Sequence, residues 1–111
     1  MERLVTGDVV VVKFPFSDLT SFKKRPALIL RKIAGEDFIL CEITADSYAK
    51  SEEVEIKQSD FSEGSLKRNS FVRFSKLFTG NYSIIEYKIG KLKEEKLKEI
   101  LSRVSLFFKE N

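Results

Sequence analysis

Four consecutive valines, Val9 to Val12, stand between Asp8 and Lys13, and no other stretch constrains the fold as much. A strand with one wet face alternates apolar and polar residues, whereas a strand apolar at every position must be covered on both faces. In a chain of 111 residues the economical way to cover both is a short sheet curled on itself. Gly7-Asp8 opens this strand, the glycine tolerating a tight entry and the aspartate turning the backbone away from pairing. Pro15 ends it by removing a ladder donor.

The rest of the pattern extends the same architecture. Ser17 to Ser21 is turn-rich, giving a loop of about ten residues before a second strand from Arg25 to Lys32. Pro26 biases Arg25 toward extended backbone, so Arg25 is expected at the first strand position, where the loop mouth opens. A third strand, Asp37 to Thr44, leaves Thr44 at a strand exit before the turn Ala45-Asp46-Ser47. Glu53 to Lys57 alternates charged and aliphatic residues, as a half-buried strand does. Asp60 to Asn69 reads as a connection with a turn at Glu63-Gly64. Ser70 to Lys76 follows, with Phe71 and Arg73 on one side and Val72 and Phe74 on the other. Gly80-Asn81 reads as a turn and Ser83 to Ile89 as the last strand. From Lys93 the period lengthens to 3.6, with Leu97, Ile100, Leu101, Val104 and Phe107 or Phe108 forming one stripe and Glu94 four residues before Lys98. Strands followed by a helix predict a mainly β chain with a C-terminal helix, a small SH3-like antiparallel β-barrel or its OB-like counterpart, as a single domain over residues 1–111.

The chain contains no histidine. That excludes Ser-His-Asp and Cys-His triads, two-histidine ribonuclease chemistry and His/Cys zinc sites, leaving Arg, Lys, carboxylates, Tyr and hydroxyls for any catalysis. The single cysteine, Cys41, lies in the apolar run Phe38 to Cys41 and is expected to be buried and inert. No apolar run approaches the ~20 residues that cross a bilayer, and the first residues lack a signal-peptide core, so the chain is read as cytoplasmic.

Charge is segregated. Residues 13–32 hold Lys13, Lys23, Lys24, Arg25, Arg31 and Lys32 against Asp18, and residues 64–76 hold Lys67, Arg68, Arg73 and Lys76 with no acid. Between them residues 36–63 carry nine acids against Lys50 and Lys57. Should the two basic segments meet in space, they form a patch for a polyanion.

Gly7-Asp8-Val9-Val10, Phe14-Pro15-Phe16-Ser17-Asp18, Arg25-Pro26-Ala27-Leu28-Ile29, Ile43-Thr44, Ser70-Phe71-Val72-Arg73 and Ser75-Lys76-Leu77, in that order, resemble the MazF/PemK toxin family of toxin-antitoxin systems. The resemblance covers nearly the whole chain. It implies an SH3-like barrel, usually a homodimer, that cleaves single-stranded RNA without a metal or other cofactor. It also implies a cognate antitoxin whose acidic C-terminal segment covers the RNA groove, and operator DNA binding through the antitoxin complex. Arg25 matches the catalytic arginine, suited to clamping phosphoryl oxygens and stabilising the leaving group rather than to acting as a base. Thr44 matches the catalytic threonine, a hydroxyl donor, and Arg73 a second functional arginine. Ser75 stands where an aspartate follows in some members, which leaves the general base open among Asp18, Glu42 and Asp46. The resemblance further implies RNA contacts by Asp18, Lys23, Lys24, Ser47, Ser75 and Lys76, with Phe16, Phe22 or Tyr48 available to stack on bases. Two other classes fit the same pattern: a non-catalytic SH3-like barrel that binds nucleic acid, and a peptide-binding interaction module.

Overall fold

Val9 to Val12 are buried on both sides of their strand, and everything else is laid around them. The computed structural model describes residues 3–15 and 22–110. Seven strands, β1 Asp8–Pro15, β2 Phe22–Lys32, β3 Asp37–Thr44, β4 Glu53–Ile56, β5 Phe61–Gly64, β6 Ser70–Asn81 and β7 Ile85–Leu92, form one antiparallel sheet. Their order across it is β4-β6-β3-β2-β1-β7-β5. One helix, α1 Glu94–Lys109, follows. The sheet curls on itself as the expected SH3-like barrel does, as a half-barrel with β4 and β5 as its edges among the described residues.

Register jumps impose the curl. The ladders shift within β1–β7, between Ile29 and Arg31 of β2, and between Cys41 and Glu42 of β3; such bulges bend a strand and raise its twist. The alternating faces therefore feed two cores. Val9, Leu28, Ile43, Val72 and Phe74 meet Ile100 of α1 in one. Val10, Val12, Ala27, Ile29 and Leu40 meet Phe38 and Ile85 in the other, flanked by Phe14 and Phe78 with ring centroids 4.9 Å apart. Cys41 is fully buried, and burial pushes its thiol up to about 12.

Several expectations need correction. β2 begins at Phe22, so Arg25 is its fourth residue, and only residues 16–21 separate β1 from β2. Pro26 is tolerated inside this central strand because the β2–β3 ladder starts only at Ala27. Asp8 does not turn the backbone away: it pairs with Lys91 of β7. Its carboxylate, fully buried, accepts the Val5 amide at 2.8 Å and lies 3.3 Å from Lys88 Nζ. The stretch 60–69 contains β5, which pairs with β7 through Gly64 and Gly90. Gly80-Asn81 is no turn but the end of β6, opposite Phe38 and Asp37. β7 starts at Ile85 after a single 3₁₀ turn, Tyr82–Ile84.

The helix follows its pattern more closely. Glu94 and Lys98 approach to 3.5 Å. Ile100 is sealed and Leu97 and Val104 pack on the core, but Leu101, Leu106, Phe107 and Phe108 remain exposed.

Candidate active site

Directly opposed residues of an antiparallel pair share a face, so register decides which functional side chains can meet. Ala27 faces Glu42 and Leu28 faces Cys41 in the β2–β3 ladder. The ladder ends at the Ala27–Glu42 pair, and Arg25 and Thr44 each lie two residues beyond it, on the face that Ala27 and Glu42 share. Val12 of β1 faces Arg25 on its other side, and Phe71 of β6 faces Thr44. Val12 with Arg25, and Thr44 with Phe71 and Glu55, thus lie on one face at the same end of the sheet. The neighbouring row on the same face is Ala27, Glu42, Arg73 and Glu53. Arg25, Thr44 and Arg73, far apart in sequence, are brought to one face of one end of the sheet.

Their engagements differ. Arg73 Nη1 sits 3.3 Å from Glu42 Oε1, its guanidinium lies 4.3 Å from the Tyr48 ring centroid, and only 17% of its side chain is accessible. Glu53 is buried and accepts hydrogen bonds from Ser47 Oγ at 2.6 Å and from the backbone amides of Tyr48 at 2.6 Å and Ala49 at 3.1 Å. Burial by itself raises the Glu53 carboxyl, but these donors together with the charge of Arg73 outweigh it and hold the group below its ordinary value. Arg25 has no hydrogen-bond or ion-pair partner among the described residues. Its charge is therefore uncommitted, while that of Arg73 is spent on carboxylates. Thr44 is 8% exposed, and its Oγ1 donates to the Asp46 carbonyl at 3.2 Å and accepts from the Asp46 amide at 3.3 Å. The turn after β3 so fixes the hydroxyl.

The two basic segments meet, though only in part. Lys24 and Arg25 from the first, with Lys67 and Arg68 from the second, line a groove of about 400 Å³ beside Arg25 and Thr44. Lys24 shares Glu86 with Lys13 at 3.3 and 3.4 Å, and Lys24, followed by Lys13, holds the Glu86 carboxyl below its usual range. Arg68 is tied to Asp46 at 3.2 Å. Arg31 and Lys32 lie at the opposite end of β2 and take no part. Lys23 is exposed on β2 beside Lys24.

Other predicted positions stand elsewhere. Ser47 is committed to Glu53. Ser75 and Lys76 fall in the irregularity where the β3–β6 register jumps from Leu77 to Arg73, and they do not line this groove. Asp18 and Phe16, and the side chain of Phe22, lie outside what is described. A larger cleft of about 550 Å³ between β4 and α1 carries paired charges, Lys96 with Asp60 at 3.8 Å and Glu99 at 3.1 Å, and is lined by neither Arg25, Thr44 nor Arg73. Among the described residues no three Cys, Asp or Glu side chains converge to hold a metal ion.

Sequence reasoning missed Tyr87, Leu66 and the groove side of Lys67 and Arg68. Tyr87 is 53% exposed and lines the groove. No local signal marks it: in an alternating strand Tyr87 shares its face with Ile85 and Ile89, while Glu86 and Lys88 point to the other, so the pattern reads it as core.

Residues 6–108 match the family described as PemK-like, MazF-like toxin of type II toxin-antitoxin system. No curated protein sequence matches. Among solved structures, a MazE-MazF complex from Deinococcus radiodurans superposes with a TM-score of 0.77 at 15% identity, covering 97% of this chain and 98% of that one. An endoribonuclease in complex with its cognate antitoxin, from a mycobacterial species, gives 0.76 at 12% identity over 98% of each chain. The Mycobacterium tuberculosis toxin MazF-mt6 gives 0.68 at 19% identity, covering 92% of this chain and 98% of that one. The structural likenesses carry the fold, and the match over residues 6–108 carries the conclusion: this chain belongs to the MazF/PemK family of type II toxins.

Proposed function

We propose that this chain is an endoribonuclease that cuts single-stranded RNA by internal transfer, leaving a 2′,3′-cyclic phosphate and a 5′-hydroxyl, without a metal. The observation that carries this reading is the placement on one face, at one end of the sheet, of an uncommitted guanidinium, Arg25, and a fixed hydroxyl, Thr44, beside a cationic groove. In the reaction the ribose 2′-oxygen bonds to phosphorus as the bond from phosphorus to the 5′-oxygen breaks. The 2′ proton goes to a base, and the departing oxygen receives a proton. Arg25 meets the phosphoryl oxygens as charge builds on them, a role its five donors fit and its basicity does not contradict. Thr44 offers its hydroxyl to the same group. Glu42, two residues before Thr44 on the same face of β3, is the carboxylate assigned as base, with Arg73 holding it in place. Arg73 is then a positioning residue, its charge already neutralised.

The remaining family properties belong to the same proposal: a cognate antitoxin with an acidic segment that occupies the cationic groove, operator DNA bound through that complex, a cytoplasmic setting, and a homodimer. The valine run of β1 offers no surface for a second copy, being buried in its own core; the exposed end of α1, Leu106, Phe107 and Phe108, does.

The test is incubation of the protein with a mixed RNA pool in EDTA. Cutting is expected from the wild type and lost in Arg25→Ala. Lys67 lines the groove and makes a poor control, so Arg31→Ala, about 20 Å along β2, is the variant expected to cut normally. Binding of RNA without cutting by the wild type would replace this reading with that of a non-catalytic barrel.

A further inference from the structure

The groove beside the catalytic pair has a floor that electrostatics does not explain. Tyr87 of β7 faces Val11 of β1, and Val11 faces Pro26 of β2. These three side chains form an apolar row on the face opposite to Arg25 and Thr44, and Leu66 and Ile89 close it. An exposed tyrosine on an aliphatic floor, ringed by Lys67 and Arg68, is not what a site for phosphate alone requires. It suits a flat, π-bearing group joined to anions, which is a nucleobase within a single strand. The volume, about 400 Å³, is at the small end of ligand pockets and is sized for one nucleotide rather than a duplex.

Charge complementarity favours the same occupant. Lys24 and Arg68 are already paired with Glu86 and Asp46, so Lys67 is the cation left on the groove to bind a phosphate beside the base, while the charge of Arg25 stays with the reacting phosphate on the other face. Arg25 and Ala45, which follows Thr44, both line the groove, so the occupant is the nucleotide adjoining the scissile phosphate.

Resting on the ribonuclease reading above, we propose that Tyr87 is the platform of a base-stacking subsite for the nucleotide next to the cleaved bond, with Lys67 holding its outer phosphate. Stacking is tolerant of sequence, so the subsite supplies affinity and alignment rather than discrimination between bases.

The experiment uses the full chain and a 2′-O-methyl oligonucleotide, which cannot be cut, carrying 2-aminopurine at successive positions. Wild type is expected to quench one position strongly. Tyr87→Ala is expected to lose that quench and weaken Kd about 5- to 150-fold, the range of one base on an aromatic side chain. Tyr87→Phe is expected to retain both, and Lys67→Ala to weaken binding at every position while keeping the quench. Cutting of an unmodified oligonucleotide is measured in parallel. Quenching through Tyr87 with no cutting would leave the subsite standing and remove the nuclease. Cutting with Tyr87→Ala indistinguishable from wild type would remove the subsite and leave the nuclease. Occupation of the groove by an acidic peptide, with no oligonucleotide bound, would overturn both.

Discussion

Glu53→Gln removes a charge and an acceptor from the point that ties the turn after β3 to the sheet. In the wild type one carboxylate oxygen takes the Ser47 hydroxyl and the other takes both the Tyr48 and Ala49 amides. Glutamine can keep its single carbonyl oxygen on the two amides, while the Ser47 hydroxyl turns to accept from the new amide group. What is lost is the charge behind the two backbone bonds. A hydrogen bond to a charged group contributes about 1.5–3 kcal/mol and a neutral one about 1, so the variant should lose about 2 kcal/mol. With about 2.1 cal/mol/K of unfolding entropy per residue over 111 residues, one kcal/mol shifts Tm by about 4 °C, and the expected drop is about 9 °C at pH 7. The sign with pH is fixed by the direction of the shift. The folded-state carboxyl lies below its ordinary value, so its contribution is complete above the ordinary carboxylate range and disappears as pH falls through the lowered folded-state value. Thermal unfolding by circular dichroism from pH 7 to pH 2 should show the gap between wild type and Glu53→Gln closing at acid pH. A gap that is absent at pH 7, or constant across the range, refutes the reasoning.

Ile100→Ala should cost about 2–5 kcal/mol in chemical denaturation, because it is the only helix residue fully sealed in the core among those described, whereas Leu101→Ala, on the same helix and partly exposed, should cost under about 1. Gly64 and Gly35 both have positive φ, +60° and +71°, but a Cβ at Gly64 would drive into the Ile89 carbonyl while one at Gly35 meets open space. Gly35→Ala should therefore cost about 1 kcal/mol and Gly64→Ala clearly more, read as Tm. The Cys41 thiol, pushed up to about 12 and buried, should resist alkylation at pH 8 until the protein is unfolded, and modification of the native protein within minutes would contradict its place in the core.

Much of the architecture was legible in local pattern, and the exceptions share a cause. β3 was bounded correctly because Gly35 and Ala45-Asp46-Ser47 punctuate an apolar run on both sides. β5 was missed because Phe61-Ser-Glu-Gly has one apolar residue and is held by backbone pairing with β7, which no local pattern announces. Gly80 was read as turn chemistry, yet its missing side chain serves packing: a Cβ there would meet the Ile84 side chain. The candidate site divides in the same way. Arg25 and Thr44 could each be singled out as lying near a strand end, but their sharing one face depends on a register set by pairing across strands. The capture of Arg73 by Glu42, 31 positions away, is likewise a product of register. So is the meeting of Lys24 and Lys67 over a floor that includes Tyr87.

The central claim is that Arg25 acts on the reacting phosphate and Arg73 does not. Single-turnover cleavage of one defined oligonucleotide by wild type, Arg25→Ala and Arg25→Lys, with Kd measured separately on its 2′-O-methyl form, tests it most directly. Arg25→Ala is expected to lower the chemical rate about 10²- to 10³-fold, the scale of removing one donor to a developing oxyanion, with partial recovery in Arg25→Lys and little change in Kd. A rate that survives Arg25→Ala, or a loss seen wholly in Kd, would contradict it.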